Sequence, residues 1–288
     1  MKTSRELIQE TRTLKARAGL LILFPLLMLA LTVTTAAQTP VNYPGAIATH
    51  LKGINDNGVM FGIYWNGDGS EHSFTYDGAT YKSIDHQGST WTQAGGINQN
   101  GDVVGFYGIA ADNLIRGFLL THDGTWTDLN IPGRFNFMPE GINSNQTIVG
   151  CMHNPGTMHG WTMQNGALVS ISPAYEMYNG INDSGAIVGW KRTDPSTVVG
   201  FILTGSGEME FSYPNTSDTE PWAINDYGDV VGRYGPNSSR HGFLLKDGEF
   251  TSIDVPNAKA TVAMGINNPG TIVGFFIDAN GRHHGFVR

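Results

Sequence analysis

The chain has 288 residues and a formal net charge of −8 at pH 7, and only 15% of its residues are charged. Its Lys and Arg residues are scattered along the chain, so we expect no nucleic-acid partner, because such affinity depends largely on the neutralisation of phosphates. A single cysteine, Cys151, excludes an internal disulfide.

Residues 1–37 differ in composition from the rest of the chain. Basic residues lead into the apolar run from Ala18 to Val33, which is followed by small residues up to Ala37. This order is typical of a secretory signal peptide, and we place its cleavage after Ala37. The alternative is an uncleaved membrane anchor, for which an apolar run interrupted by Pro25 is short, since a span needs about 20 residues. We therefore predict a bacterial protein that is periplasmic, cell-surface or secreted, without membrane contact once the signal is removed.

Residues 38–288 are predicted to form a single domain built on an internal repeat. Its anchor is Gly-Ile-Asn or Ala-Ile-Asn, followed by two residues, usually Gly, an apolar pair and a second Gly. Six copies begin at residues 53, 96, 141, 180, 223 and 265. A period of about 42 residues is that of a propeller blade, so we predict an all-β fold.

Each repeat is predicted to contain four antiparallel strands. The first strand runs into the anchor, where Asn-x-x-Gly makes a tight turn with Gly at positive φ. The second strand follows, and the third begins at a tripeptide such as His-Gly-Phe. An Asp-Gly or Asn-Gly hairpin turn then leads to the fourth strand, which in most copies ends at a proline.

The sixth repeat ends after its third strand, at Arg288, but its fourth strand can be found elsewhere in the sequence. Residues 41–45 read Val-Asn-Tyr-Pro-Gly and carry the proline signature of a fourth strand. The spacing from Pro44 to Gly53 equals the corresponding spacing in most other repeats. We therefore predict a six-bladed β-propeller of four-stranded antiparallel blades whose last blade is completed by residues 41–45.

At these residues the chain resembles the extracellular HAF-repeat proteins, a bacterial group named after a His-Ala-Phe tripeptide in the third strand. The tripeptide here is mostly His-Gly-Phe, with Arg116 and Val199 in the histidine position and Ser73 in the middle position as departures. The resemblance covers all six repeats, from Val41 to Arg288. It implies export and an extracellular role, and no catalytic residues are carried over from it.

The predicted strand directions divide the connections between two faces. Both kinds of short turn lie on one face, here called the turn face, and the longer connections of variable length lie on the other, the loop face. We expect binding on the loop face. The stretches before each anchor lie nearest the axis, and they supply the candidate ligand-contact residues His50, Lys52, Trp91, Gln93, Glu140, Glu176, Glu220 and Trp222. The simpler interpretation is that these residues are solvated side chains at the rim of an acidic protein.

Other recurring residues are predicted to be structural, and we assign no metal, cofactor or catalytic residue. The anchor asparagines are interpreted as turn residues, and Cys151 as buried and inert. The third-strand histidines lie in different blades, too far apart to share a zinc ion, so we expect each to hydrogen-bond adjacent backbone. These histidines are His72, His159, His241 and His284.

Three hypotheses for function follow. The leading one is a secreted, monomeric and non-catalytic module that binds a glycan, a peptide or another surface protein through its loop face, because no catalytic constellation is recognisable. The alternative is an extracellular carbohydrate-active hydrolase or lyase that uses Glu140, Glu176 and Glu220 at the channel mouth as acid and base. The third is a structural spacer or assembly unit.

Overall fold

The structure is a computed structural model that describes residues 38–288 except 113, 130, 132–135 and 155–156. The predicted signal peptide at residues 1–37 lies outside the described residues. Within the described ranges, no helix is long and apolar enough to cross a bilayer.

The described residues form six sheets of four strands each, in which every strand pairs antiparallel with its neighbour. The predicted six-bladed propeller is therefore confirmed. The blades, each with its strands in order from the axis outward, are blade 1, β2 (Ala48–Ile54), β3 (Met60–Trp65), β4 (Glu71–Tyr76) and β5 (Tyr81–Ile84); blade 2, β6 (Trp91–Ile97), β7 (Val103–Gly108), β8 (Ile115–Leu120) and β9 (Trp126–Leu129); blade 3, β10 (Phe137–Ile142), β11 (Thr147–Asn154), β12 (Thr157–Gln164) and β13 (Ala167–Ile171); blade 4, β14 (Glu176–Ile181), β15 (Ile187–Asp194), β16 (Thr197–Thr204) and β17 (Gly207–Phe211); blade 5, β18 (Thr219–Ile224), β19 (Val230–Tyr234), β20 (His241–Lys246) and β21 (Glu249–Ile253); and blade 6, β22 (Ala260–Ile266), β23 (Ile272–Ile277), β24 (His283–Val287) and β1 (Thr39–Val41).

The last blade is completed by the N-terminal strand, as predicted. Strand β1 pairs antiparallel with β24, with Thr39 opposite Val287 and Val41 opposite Gly285. The strand covers Thr39–Val41, so it begins two residues before the predicted range of 41–45. The difference arises because Pro44 has no N–H to give to a ladder, and the chain turns here with Gly45 at φ +80°.

The core lies between neighbouring blades and is built on the third strand. The aromatic residue of each tripeptide is completely buried, and these residues are Phe74, Phe118, Trp161, Phe201, Phe243 and Phe286. The residue before it must be small: a Cβ on Gly117 would lie 2.9 Å from Cγ of Pro139 in the first strand of the next blade. In blade 1 this residue is Ser73, whose hydroxyl donates to the Thr92 carbonyl (2.9 Å) and accepts from the Ala94 N–H (2.7 Å). The small residue thus lets the first strand of the next blade approach closely.

The anchor asparagines form a closed ring of hydrogen bonds around the axis. Each side-chain Nδ2 donates to the backbone carbonyl of the asparagine in the next blade, over 3.0–3.4 Å, in the order Asn55, Asn98, Asn143, Asn182, Asn225, Asn267 and back to Asn55. Each Oδ1 accepts the backbone N–H four residues further on, which holds the tight turn. The turn role is confirmed, and the contact between blades is a second role that sequence reasoning missed.

Removal of β1 tests the closure of the ring. A chain that starts at Asn42 loses the ladder with β24 and the packing of Val41, and it exposes an unpaired edge. Hydrogen bonds of about 1 kcal/mol each and the burial of a half-exposed Val predict a loss of about 3–4 kcal/mol in the free energy of unfolding. The measurement is urea unfolding beside a control chain that starts at Gln38. Equal midpoints for the two chains would contradict closure by β1.

Candidate functional site: the axial cavity

Every innermost strand carries a β-bulge at the residue just before the anchor. In β2, for example, Leu51 lies opposite Gly62 and Gly53 lies opposite Phe61, so that Lys52 has no partner in the ladder. A bulge changes the direction of a side chain. The six bulge residues all line a cavity on the propeller axis, and they are Lys52, Gly95, Glu140, Asn179, Trp222 and Met264.

This axial cavity has a volume of about 110 Å³. It runs from the bulge residues past the anchor isoleucines and the asparagine ring to the turn face. The residues at the turn-face end are Asp56, Gln99, Asp183, Asp226 and Asn268. Within the described part of the chain, the connections of the loop face contribute none of its lining. The cavity therefore reaches the turn face, whereas the sequence favoured the loop face for binding.

Lys52 and Glu140 form a buried ion pair in the cavity. Lys52 Nζ lies 3.7 Å from Glu140 Oε2, and the two side chains are 11% and 7% exposed. The pair joins blade 1 to blade 3 past Gly95 of blade 2, which has no side chain to intervene. Gly95 is itself required by packing, because a Cβ there would lie 2.2 Å from the Pro139 carbonyl oxygen.

The ion pair is incompletely satisfied. Its separation of 3.7 Å is too long for a hydrogen bond. Among the described residues, neither Lys52 Nζ nor the Glu140 carboxylate makes a hydrogen bond, and neither group is completely closed off from water. Burial raises the pKa of Glu140, and the charge of Lys52 acts against this rise. Buried ion pairs are stable only when further hydrogen bonds satisfy their remaining donors and acceptors, so water or a ligand group in the cavity is needed to complete this pair.

Two further cavity residues carry polar atoms without a partner. Asn179 is 3% exposed, and its Nδ2 donates to the Pro221 carbonyl over 2.6 Å. Its Oδ1, like Nε1 of Trp222, is buried and has no hydrogen-bond partner among the described residues. The Trp222 ring packs with Met264 and Phe275. These two atoms are closed off from water by their surroundings, so the cavity wall offers the ion pair and the indole ring.

His50 lies outside the cavity, at the junction of blades 1 and 6. Its ring stacks on Phe275 with centroids 3.6 Å apart, and its Nε2 lies 2.7 Å from Nδ1 of His283. Burial, together with the nearby His283, Lys52 and Arg240, lowers the pKa of His50 to about 3. His50 is therefore a neutral, packed side chain.

The two other predicted carboxylates also lie outside the cavity lining. Glu220 is 9% exposed, and its Oε2 accepts from Nε of Arg233 over 2.8 Å, while its Oε1 accepts from Nη2 of the same guanidinium. Glu176 is 3% exposed and lies opposite Lys191 in the ladder of blade 4. Of the three carboxylates considered for acid and base catalysis, Glu140 alone lines the axial cavity in the described structure.

Trp91 and Gln93 lie in β6 of blade 2, also outside the cavity lining. The Trp91 ring covers Gly108, where an added Cβ would lie 2.6 Å from the indole, and it meets Phe106 edge-on at 6.0 Å. Gln93 lies opposite Phe106 in the ladder. The structure therefore brings together Lys52, Glu140 and Trp222, and it separates the other five predicted residues from them.

The third-strand histidines correct one expectation. We predicted backbone partners, but only His159 has one, the Ser172 carbonyl at 3.0 Å. The others bond side chains at the end of the fourth strand of the same blade, in the pairs His72 with Asp85 (2.8 Å), His241 with Asp254 (2.7 Å) and His284 with Asn42 (3.2 Å). The reason is that an Asp or Asn stands there in these blades and a Ser in blade 3. In the ranges that the structure describes, no group of three or more His, Cys, Asp or Glu could hold a metal ion.

Cys151 is completely buried in blade 3, as predicted. Its Sγ lies 3.5 Å from Nε2 of His153. Burial raises the pKa of the thiol well above its ordinary value, and the charge of Glu140 raises it further. The thiolate, the reactive form, is therefore disfavoured.

A second depression, of about 500 Å³, lies on the loop face between blades 4 and 5. Most of its lining residues are exposed, so that water can satisfy their polar groups. The lining consists of Arg192, Pro195, Ser196, Val198, Asn215, Thr216, Ser217, Asp218 and Pro236. The axial cavity is the stronger candidate, because it holds an ion pair of low exposure, whereas bulk water can satisfy the polar groups of the depression.

Comparison with known proteins shows the fold alone. No family model and no curated protein sequence matches the chain. Similar solved structures include the β-propeller domain of the trilobed protease from Pyrococcus furiosus (11% identity, 83% of this chain and 95% of that chain, TM-score 0.50). They also include a mutant Aleuria aurantia lectin in complex with Fucalpha1-6GlcNAc (7%, 84% and 91%, 0.53) and a putative gluconolactonase (13%, 88% and 94%, 0.50). The chain therefore shares the propeller fold with proteins of several functions.

The burial of neutral His50 predicts loss of stability in acid. In the unfolded chain His50 takes up a proton as the pH falls through about 6.5, whereas in the folded protein it does so only near pH 3. Between these values, the different protonation of His50 in the two states lowers the free energy of unfolding by up to about 1.4 kcal/mol for each unit by which the pH falls. The variant His50→Phe keeps the stack on Phe275 and removes the titration. Between pH 7.5 and 4.5, the free energy of unfolding measured in urea should fall by about 2–3 kcal/mol less in this variant than in the wild-type chain. Equal declines in the two chains would contradict the assignment of His50 as a neutral, buried side chain.

Proposed function

We propose that this protein is an exported, non-catalytic propeller module that binds carbohydrate, and that the axial cavity is its binding site. Export through residues 1–37 and membership of the HAF-repeat group are part of the proposal, and both rest on the sequence features described above. A glycan suits the site better than a surface protein does, because a narrow cavity admits a sugar ring but not a protein surface.

One observation carries the proposal: the bulge position holds six unlike residues within an otherwise repeated scaffold. The residues just after it are Gly or Ala, then Ile, then Asn in every blade. If the bulge served only the fold, a small or apolar residue in each blade would meet the need at no electrostatic cost. A Lys, a Glu and an Asn stand there instead, and the removal of their polar groups from bulk water carries a cost in desolvation. Such an arrangement supports recognition of a polar ligand.

A likeness to a lectin supports the choice of carbohydrate. The Aleuria aurantia protein has the same fold and was solved in complex with a fucosyl disaccharide. Sugar rings present hydroxyl groups at their edges and C–H groups on their faces. The cavity offers matching partners in the ion pair and the indole of Trp222.

A hydrolase or lyase is the second candidate, and the raised pKa of Glu140 favours it, because a protonated carboxyl can act as a general acid. The usual glycosidase mechanism needs two carboxyl groups beside one glycosidic bond. Glu140 has no second carboxylate beside it among the bulge residues, since Glu220 is held by Arg233 and Glu176 lies outside the lining. Binding is therefore the better supported function.

A glycan array tests the proposed function. Residues 38–288 should bind at least one class of glycan, and Trp222→Ala should weaken binding on the order of 10-fold, because it removes an aromatic face from the site. The matched control is Trp126→Ala, since Trp126 is 37% exposed on the outer strand of blade 2.

Two outcomes would count against the proposal. Absence of binding to every glycan by a folded wild-type chain would contradict carbohydrate recognition. Hydrolysis or elimination of a polysaccharide, abolished by Glu140→Gln and retained by Trp126→Ala, would establish the enzymatic alternative instead.

A further inference from the structure

We propose that the axial cavity holds a single neutral sugar ring, one of whose hydroxyl groups bridges Lys52 Nζ and Glu140 Oε2. This inference rests on the proposed function and names the ligand class of the same site. It follows from the geometry of the ion pair, the apolar wall beside it and the charge at the cavity mouth.

The separation of the ion pair matches one bridging oxygen atom. Nζ and Oε2 are 3.7 Å apart, and an oxygen placed about 2.8 Å from both completes a triangle with two hydrogen bonds of normal length. A hydroxyl suits this position because it accepts from the ammonium group and donates to the carboxylate. A zwitterion such as a free amino acid does not suit it, since a carboxylate and an ammonium group cannot both be inserted between atoms this close.

The rest of the wall supplies partners for other parts of a sugar ring. Met264 and the face of Trp222 provide apolar contacts for C–H groups. A ligand with hydroxyl groups on its edge and C–H groups on its face would match the ion pair and the apolar wall together.

The mouth of the cavity selects against anionic ligands. Three carboxylates, those of Asp56, Asp183 and Asp226, lie among the residues at the turn-face end. Asp56 and Asp226 share the amide of Asn268, which donates to both over 2.7 Å. Together with Glu140 inside, these groups make the cavity electronegative, so a uronic acid or a sulfated sugar would enter against repulsion.

The size of the cavity limits the ligand to one ring. The cavity has a volume of about 110 Å³, whereas a single water needs about 10–15 Å³. The cavity can therefore hold several waters, or one sugar ring that replaces them. An oligosaccharide would therefore insert a terminal residue, and its remaining rings would lie at the turn face. The carboxylates and amides of the mouth would contact those outer rings.

The experiment measures binding of free glucose, galactose, mannose and fucose, and of glucuronic and galacturonic acids, to residues 38–288 by calorimetry. At least one neutral sugar should bind with a dissociation constant in the millimolar range or below, and its uronic acid should bind at least 10-fold more weakly. The double variant Lys52→Met, Glu140→Gln removes both charges together, which avoids leaving one buried charge unpaired. It should weaken binding of the neutral sugar on the order of 10-fold or more, since hydrogen bonds to charged groups are stronger than neutral ones.

Lys191→Met is the matched control, because Lys191 pairs with Glu208 and Glu210 on blade 4, away from the cavity lining. It should leave sugar affinity unchanged. If the double variant does not fold, Glu140→Gln alone and Lys52→Met alone, each checked by its unfolding transition, provide the same comparison.

The outcomes separate this inference from the proposed function. If the protein binds glycans on the array but the double variant binds them as tightly as wild type, the bridging site is wrong and carbohydrate binding stands. If uronic acids bind more tightly than neutral sugars, the ligand class is wrong. If no free sugar binds and no glycan is retained on the array, both fail, and the ion pair is bridged by water only.

Discussion

The ring of asparagine side chains around the axis is the interaction on which the rest of the structure depends. Each asparagine holds its own turn through Oδ1 and the neighbouring blade through Nδ2, and the last of the six donates back to the first. The ring requires the innermost strands to approach closely, and this explains the glycine at the start of the anchor. A Cβ on Gly265 would lie 2.6 Å from the Cα of Gly53 in the next blade.

The same constraint places the candidate site. The bulge lies three residues before each ring asparagine, so the closed ring brings six bulge residues to one level of the axis. The fold thereby fixes the position of these side chains and leaves their chemistry free. In this chain the chemistry is asymmetric: a charged pair joins blades 1 and 3, an amide lies in blade 4, and an indole and a thioether lie in blades 5 and 6. An asymmetric cavity in a symmetric scaffold can recognise one orientation of a small ligand.

Much of the fold could be predicted from the sequence, because the internal repeat shows how many blades there are and how many strands each contains. Six anchors, a proline signature near the N-terminus and a sixth repeat without a fourth strand together indicate the closed ring. The bounds of β1 were less predictable, since Pro44 and Gly45 mark the turn that follows the strand rather than the strand itself. The exchange of hydrogen bonds between asparagines of different blades could not be inferred, because a turn residue and a ring residue have the same sequence signature.

The candidate site was predictable only in part. Lys52, Glu140 and Trp222 were predicted because they precede the anchor. Asn179 and Met264 occupy the same position, and a comparison of that position across the six repeats would have added them. The bulge itself could not be predicted, because it is a shift in the pairing register of two strands. The periodicity of the sequence does not report that register. The pairing of Glu220 with Arg233 was equally invisible, since those residues lie in different strands and meet only in the folded blade.

The central claim is that hydrogen bonds between asparagines close the propeller around the axial cavity. Its most direct test is the free energy of unfolding of Asn143→Asp, in which an oxygen replaces the Nδ2 that donates to the Asn182 carbonyl over 3.1 Å. Asn100→Asp serves as the control, because Asn100 occupies the same kind of turn with an exposed side chain. The account predicts a loss of at least about 2 kcal/mol for Asn143→Asp, since two acceptors then face each other in a buried site, and little change for the control. Equal stabilities of Asn143→Asp and the wild-type chain would contradict it.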